Sequence, residues 1–231
     1  MIYTFADIPV DIKTKEELMD IMCRDYVTGA ATACFSIMIS EEDVEQEKKM
    51  AEDYYSYGYL ETLAVYRKFC EQALDHDVLL FHASVIAVDG EAYLFTAPSG
   101  TGKSTHTKLW REYFGERAIM INDDKPLLRF AEDRIYIYGT PWDGKHHLST
   151  NIKAEVKAIC ILERSEVNQI DRLDRKDAYP MILNQTYRPT EKDKMIKTLQ
   201  LVDSLMAAVP VYRLGCTISE EAVRVAYEGM K

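Results

Sequence analysis

Ala97-Pro98-Ser99-Gly100-Thr101-Gly102-Lys103-Ser104 carries the fold of this 231-residue chain. The octet has the form Gly/Ala, four residues, then Gly-Lys-Ser. Glycines at this spacing let consecutive backbone N–H groups turn inward around phosphate oxygens. The lysine reaches the outer phosphates, and the serine hydroxyl is a Mg²⁺ ligand. The flanks agree with this reading. Ala92-Tyr93-Leu94-Phe95-Thr96 is an apolar, strand-like run, and Ser104 to Phe114 is helix-like, so a helix N-terminus adds positive potential where phosphate would sit. Ser99, Gly100, Thr101, Gly102, Lys103, Ser104 and Thr105 are therefore the candidate nucleotide-binding residues.

Working outward, Val78 to Val88 is rich in β-branched and apolar residues, Asp89-Gly90 is a hairpin-turn signal, and Glu91 to Ala97 returns. The loop thus follows the second strand of a hairpin. Gly115 stops its helix. Arg117 to Asn122 reads as a third strand ending in Asp123-Asp124, Leu127 to Phe130 and Arg134 to Tyr138 as another hairpin, and Ala158 to Leu162 as a further strand. Thr190 is expected to open a long helix with Asp193 placed for a cap. Val211 to Leu214 is a last short strand, and Ser219-Glu220-Glu221 opens a final helix to Tyr227. Upstream, Ile2 to Ile12 and Cys34 to Ile39 are strand candidates with a helix, Lys15 to Tyr26, between them. Ser40 caps a helix to Met50, and Tyr59 to Leu74 has amphipathic spacing. The tyrosines at 54, 55, 57 and 59 read as packing against the sheet. Frequent hairpins favour a mixed sheet over a purely parallel one. The predicted class is α/β (α+β), a mixed β-sheet with flanking helices. No linker divides the chain, so 1–231 is expected to be a single domain, with 1–75 integral to it and 78–230 as its core.

The bulk numbers bound the function. A chain this long can bury roughly 70% of its unfolded surface, enough for a proper core. Net charge is −10 with pI near 5.1. An acidic chain lacks the basic surface that nucleic acid or an anionic membrane requires, whereas the loop amides, Lys103 and Mg²⁺ can still hold a nucleotide locally. The five cysteines, Cys23, Cys34, Cys70, Cys160 and Cys216, are widely spaced without a Cys-x-x-Cys pair, as expected for buried, reduced thiols in a cytoplasmic protein. Asp7 and Asp11 interrupt the N-terminus, so no secretory leader is expected. The longest uncharged run, Tyr26 to Ser40, is 15 residues and too polar to span a bilayer.

Asp123 and Asp124 follow a strand about twenty residues after the loop lysine, where a nucleotide enzyme holds Mg²⁺ and takes a proton from a hydroxyl. Adjacent residues on an extended segment point to opposite sides, so both face one ligand only if the backbone turns there. His82 sits in an apolar run, Leu79-Leu80-Phe81-His82-Ala83, and by itself reads as structural. His106, on the loop helix, is expected to be exposed. The segment Gly139-Thr140-Pro141-Trp142-Asp143-Gly144, followed by Lys145, His146 and His147, suits a lid or an anion-recognition edge and equally a plain turn. Glu163-Arg164 is given no role.

Phe81-His82-Ala83-Ser84, the Asp89-Gly90 hairpin, Phe95 through Thr105 and Asn122-Asp123-Asp124 together resemble the catalytic core of HPr kinase/phosphorylase. More distantly they resemble the nucleotide core of phosphoenolpyruvate carboxykinase. The Gly139-Thr140-Pro141-Trp142 loop and the C-terminal order of long helix, Pro210-Val211-Tyr212-Arg213-Leu214, then helix are similar to smaller HPr-kinase-like proteins. The resemblance covers roughly residues 78–230. It implies a P-loop fold of that type, ATP and Mg²⁺ as cofactors, and transfer of a γ-phosphate to a hydroxyl. By position it implies His82 near the γ-phosphate, Lys103 on the β- and γ-phosphates and Ser104 on the metal. One of Asp123 and Asp124 would be the carboxylate that deprotonates the acceptor, with Asp124 favoured as base and Asp123 for metal or orientation. The family's Arg-containing signature, which engages HPr, is absent, and residues 1–75 are expected to be part of the same domain rather than a separate N-terminal one. The acceptor is accordingly a protein, a peptide or a small molecule bearing a hydroxyl. The related enzymes assemble, so a homo-oligomer is an expectation. Two other readings are a nucleotide-binding regulatory module without phosphotransfer and a carboxykinase-like enzyme, for which Lys145, His146, His147 and Arg129 would bind a small keto acid.

Overall fold

A computed structural model describes residues 1–51, 53–144 and 146–231. The chain forms two compact units, Met1–Val78 and Leu79–Lys231. In the first, strands β1 (Ile2–Phe5), β2 (Ile8–Lys13) and β3 (Phe35–Met38) form a sheet in that order, with helices α1 (Leu18–Met22), α2 (Glu41–Met50) and α3 (Tyr57–Ala73). The expected single strand from Ile2 to Ile12 is a hairpin instead. Ala6 and Asp7 both take positive φ (49° and 59°), giving the tight turn that matches antiparallel strand twist. The expected helix from Lys15 to Tyr26 is shorter, Leu18–Met22 and then a 3-10 turn. Ser40 caps α2 as anticipated, in a reciprocal capping box with Asp43. Tyr54 is 96% exposed and Tyr55 is also exposed, so these two do not pack against a sheet; Tyr55 instead lies against the Tyr59 ring at 5.0 Å.

The second unit contains β4 (Val78–Leu80, entering across the boundary), β5 (Ser84–Val88), β6 (Glu91–Thr96), helix α4 (Lys103–Phe114), β7 (Ala118–Asn122), β8 (Leu127–Ala131), β9 (Arg134–Tyr138), β10 (Lys153–Arg164), β11 (Gln169–Arg172), helices α5 (Arg175–Leu183) and α6 (Lys192–Ala208), β12 (Val211–Cys216) and helix α7 (Glu220–Met230). The strand order is β4-β8-β9-β10-β6-β5-β7, with β12 also on β10 and β11 on β12. The sheet is mixed, as the hairpin signals required: β10 runs parallel to β6 and β12, and the pairs β5–β6, β5–β7, β8–β9, β9–β10 and β11–β12 are antiparallel. Asp89 and Gly90 take positive φ and close the β5–β6 hairpin. The expected strand from Val78 to Val88 is interrupted at Phe81–Ala83. The α6 helix starts at Lys192 after Glu191 and has no side-chain cap bond, so neither Thr190 nor Asp193 caps it.

This topology puts several chain ends on one edge. β6 and β7 both run antiparallel to β5, and β6, β10 and β12 are mutually parallel. The C-terminal ends of β6, β7, β10 and β12 and the N-terminal end of β5 therefore share one sheet edge, where α/β proteins bind ligands. Helices α4 and α7 cover one face. Trp110 is fully buried there among Tyr93, Phe95, Phe114 and Tyr227, with ring centroids 5.0–5.9 Å away. Cys23, Cys70 and Cys160 are buried free thiols, whereas Cys34 is exposed. Among the described residues no helix is long and apolar enough to cross a membrane. Because Trp110 fills the space between α4 and the sheet, Trp110→Ala should cost about 3–5 kcal/mol of stability, read as a lower urea midpoint with an unchanged slope.

Candidate active site

The loop sits on the shared edge. Gly100 and Gly102 take φ of 75° and 124°, conformations that a Cβ would strain, and Gly102 is the N-cap of α4. Lys103 Nζ donates to the Ala97 carbonyl at 3.0 Å. Burial pushes its ammonium below the usual lysine value, and Asp124 and Asp123 oppose that shift. Arg164, at the end of β10, donates to the Gly100 carbonyl at 2.6 Å and the Thr101 carbonyl at 3.3 Å. These bonds occupy two of the loop carbonyls, and the Thr101 N–H donates back to the Pro98 carbonyl at 3.3 Å. Arg164 had no role in the sequence reading because its target is backbone 63 residues away.

Asp123 and Asp124 leave β7 through a turn made by Asn122. The buried Asn122 side chain accepts from the Asp124 and Lys125 N–H groups, each at 2.8 Å, and donates to the Thr140 carbonyl and hydroxyl. This Asx turn breaks the strand alternation, and both carboxylates line one cavity. Thr140 is held in turn by Gly139. A Cβ on Gly139 would lie 2.1 Å from the Thr150 carbonyl oxygen, so no other residue fits there without backbone movement. The Gly139-Thr140-Pro141-Trp142 segment therefore supports the Asp-bearing turn.

The two carboxylates differ in surroundings. Asp123 is buried and accepts from the Ser84 hydroxyl, which is bonded at 2.9 Å to the Thr107 hydroxyl on α4. Ser84 precedes Val85, which pairs with Asn122 across β5–β7. Asp124 Oδ1 lies 3.2 Å from His82 Nε2, and its Oδ2 accepts from Lys125 Nζ at 2.9 Å. Burial raises its pKa, but the bonds to His82 and Lys125 outweigh that and hold it at about 2. His82 is not in a strand. It occupies the break between β4 and β5, its N–H donating to the Gln185 carbonyl at 2.7 Å and its carbonyl accepting from the Thr96 hydroxyl.

A cavity of about 430 Å³ is lined by His82, Lys103, Ser104, Asp123, Asp124 and His146, together with the loop at Ser99, Gly100, Gly102 and Thr105. His147 instead pairs with the buried Asp143 at 3.0 Å, and Arg129 lies in β8 opposite Tyr136. Lys145 lies outside the described residues. A second cavity of about 360 Å³ opens on the other side of the loop. His106 contributes to its wall and is 3% exposed, against the expectation of a surface histidine. The reason is local: His106 lies one turn before Trp110 on the buried stripe of α4, and it accepts the Trp110 indole N–H at 3.0 Å.

The description SynChlorMet cassette protein ScmC matches residues 59–223. The chain belongs to the ScmC family. The span that matches ScmC contains the loop, the Asn122 turn, His82 and Arg164. No curated protein matches the chain. Among solved structures, the HPr(Ser) kinase/phosphatase from Coxiella burnetii is similar at 13% identity over 65% of this chain and 97% of that one, with a TM-score of 0.36. The mixed sheet of this ScmC chain stands on its own strand pairing.

Oxygen donors suited to Mg²⁺ are present in the Ser104 hydroxyl and the Asp123 carboxylate. Among the described residues no group of three or more His, Cys, Asp and Glu could hold a metal by itself. Mg²⁺ in nucleotide sites uses one or two carboxylates with phosphate and water for the rest, so this sparse set fits.

The Asp124 pairs have a pH signature. A carboxyl depressed from 3.8 to about 2 stabilises the fold above pH ~3.8, and the contribution is lost as pH falls through about 2. Asp124→Asn should remove on the order of 2 kcal/mol of acid dependence in that window, and denaturant melts at pH 5, 3.5 and 2 should show a flatter acid limb than the native protein.

Proposed function

We propose that this protein is an ATP- and Mg²⁺-dependent phosphotransferase that moves a γ-phosphate to a hydroxyl. The observation that carries the reading is one cavity lined by the loop lysine and serine together with two carboxylates and two histidines. Lys103 and the loop amides hold the β- and γ-phosphates, with the α4 N-terminus adding favourable potential. Ser104 and Asp123 hold Mg²⁺, which when bound neutralises phosphate charge. The acceptor oxygen forms a bond to γ-phosphorus as the bond from phosphorus to the β-bridging oxygen breaks. The hydroxyl proton passes to Asp124, and ADP leaves.

A carboxylate held at about 2 is a weak base. Phosphoryl transfer through a loose transition state asks little base strength, and Asp124, ionised before transfer, serves chiefly to orient the hydroxyl whose proton it takes late. His82, against Asp124, fixes the direction of that carboxylate and stands beside the incoming γ-phosphate. The acceptor meets Asp124 in the main cavity, which an adjoining cavity of about 420 Å³ joins at Ser104, Asp123 and His146 and extends along α4 to Lys108 and Arg111. This basic rim suits an acceptor bearing negative charge.

The test is transfer of label from γ-labelled ATP with Mg²⁺ to free serine, serine peptides and a soluble extract. The native protein should label one acceptor class. Lys103→Ala should lower the rate about 10²-fold or more, and Asp124→Asn about 10²–10⁴-fold. Transfer that survives Lys103→Ala would end the reading. Tight ATP binding with neither transfer nor hydrolysis would replace it with a regulatory nucleotide-binding module.

A further inference from the structure

The phosphate side of the loop leaves the second cavity without a use. This cavity of about 360 Å³ shares Gly100, Gly102 and Thr105 with the carboxylate cavity, so the loop is the wall between them. Its other wall sets Leu109 on α4, Leu162 on β10, Cys216 at the end of β12 and Ile218 beyond it beside Glu163, Arg164, Ser165 and Thr217, and most of its surface is apolar. His106 is the buried polar residue of its lining, and among the described residues its Nδ1 has no hydrogen-bond partner.

The chemistry of that nitrogen follows from its neighbours. Trp110 Nε1 is a donor only, so the His106 Nε2 it bonds must be an unprotonated acceptor. Burial pushes the imidazole pKa down to about 4, so the ring is neutral at pH 7. A neutral ring with a bare Nε2 carries its hydrogen on Nδ1. The tautomer is therefore set by Trp110, and the atom left over is an N–H donor. Buried donors are almost always paired, and the adjoining cavity is where a partner can enter.

We propose that this cavity takes the base of the phosphate donor and that His106 Nδ1–H donates to an acceptor atom on that base. The donor is then a nucleoside triphosphate, distinguished from bare polyphosphate by an apolar slot and one buried hydrogen bond. This inference rests on the phosphotransferase reading for the placement of the phosphates, but it concerns binding alone. Helix geometry links the two halves. At about 100° per residue, Lys103, Ser104 and Thr107 lie on the side of α4 toward the carboxylates, whereas Thr105, His106 and Leu109 lie on the side toward the second cavity. A ligand wrapped over the first turn of α4 reaches both.

The test is calorimetric titration of the native protein, Lys103→Ala, His106→Phe and His106→Asn with ATP, GTP, CTP and inorganic tripolyphosphate, each with Mg²⁺. Native protein should bind at least one nucleoside triphosphate about tenfold or more tighter than tripolyphosphate. His106→Phe, which keeps a ring but has no donor, should weaken that nucleotide about 5–10-fold and leave tripolyphosphate unchanged. His106→Asn, which returns an N–H near the Nδ1 position, should recover part of the loss. Deaza analogues of the preferred base, each lacking one ring acceptor, make the same test on unaltered protein should His106→Phe fail to fold; one of them should reproduce the loss. Equal binding of tripolyphosphate and every nucleotide by native protein overturns the inference, as does equal weakening of both by His106→Phe. If both bind equally but Lys103→Ala abolishes both, only the base pocket fails. If nothing binds, the phosphotransferase reading fails with it.

Discussion

The site depends on the side chain of Asn122. A strand presents successive residues to opposite faces, and β7 left to continue would send Asp123 and Asp124 apart. Asn122 instead accepts the Asp124 and Lys125 N–H groups on its own oxygen and gives its amide hydrogens to Thr140. All of this occurs in a buried position, where each unmade bond would cost on the order of 1–3 kcal/mol. The turn is thereby tied to a segment fifteen or more residues downstream, and that segment is tied in turn to the Thr150 and Ile121 backbone through Gly139. The carboxylates are held by packing of backbone against backbone, which a mobile loop could not supply.

Around this turn the charges are arranged as a nearly closed set. Asp124 meets His82 and Lys125, Asp123 meets a neutral hydroxyl pair, and Lys103 is buried where its ammonium is disfavoured. Lys103 is opposed in that by the same two carboxylates, so neither sign is solvated freely. A ligand that brings both negative phosphate and a positive metal would satisfy both sets at once. An anion alone would meet two carboxylates, and a cation alone would meet Lys103 and Lys125. On the proposed reading a metal-bound polyphosphate is thus preferred over either ion separately, in a protein whose overall charge of −10 gives it no long-range attraction for phosphate.

What was legible in the sequence was local. The loop, its strand and helix, the Asp89-Gly90 hairpin and the Ser40 cap each depend on residues within a few positions of one another, and each appears where the pattern put it. The mixed sheet followed from the hairpins. What was not legible depended on distant partners. The break at Phe81–Ala83 exists because His82 gives its N–H to Gln185, a hundred residues away. The short strand β11 exists because β12 offers it an edge. Thr107 acts through Ser84, and Arg164 through the loop carbonyls. His106 was misjudged for a different reason: a polar residue early in a helix reads as exposed, and only the Trp110 bond and the Phe95 ring at 4.8 Å make it part of the core.

That burial has a consequence for how α4 works as a unit. Its N-terminal turn carries Lys103 and Ser104, to which the proposal gives the phosphates and metal, and its next turn is anchored by Trp110 against β5, β6 and α7. A helix whose first turn must hold a lysine, a serine and a threonine at fixed positions loses rotamer and backbone freedom on ligand binding unless that freedom is already spent on folding. Trp110 does this by packing, and the Thr107–Ser84–Asp123 chain does it by hydrogen bonds to the strand that carries the carboxylates. The helix and the Asn122 turn are therefore positioned against each other before any ligand arrives. This is the condition under which binding free energy can go into orienting the reacting groups rather than ordering the protein.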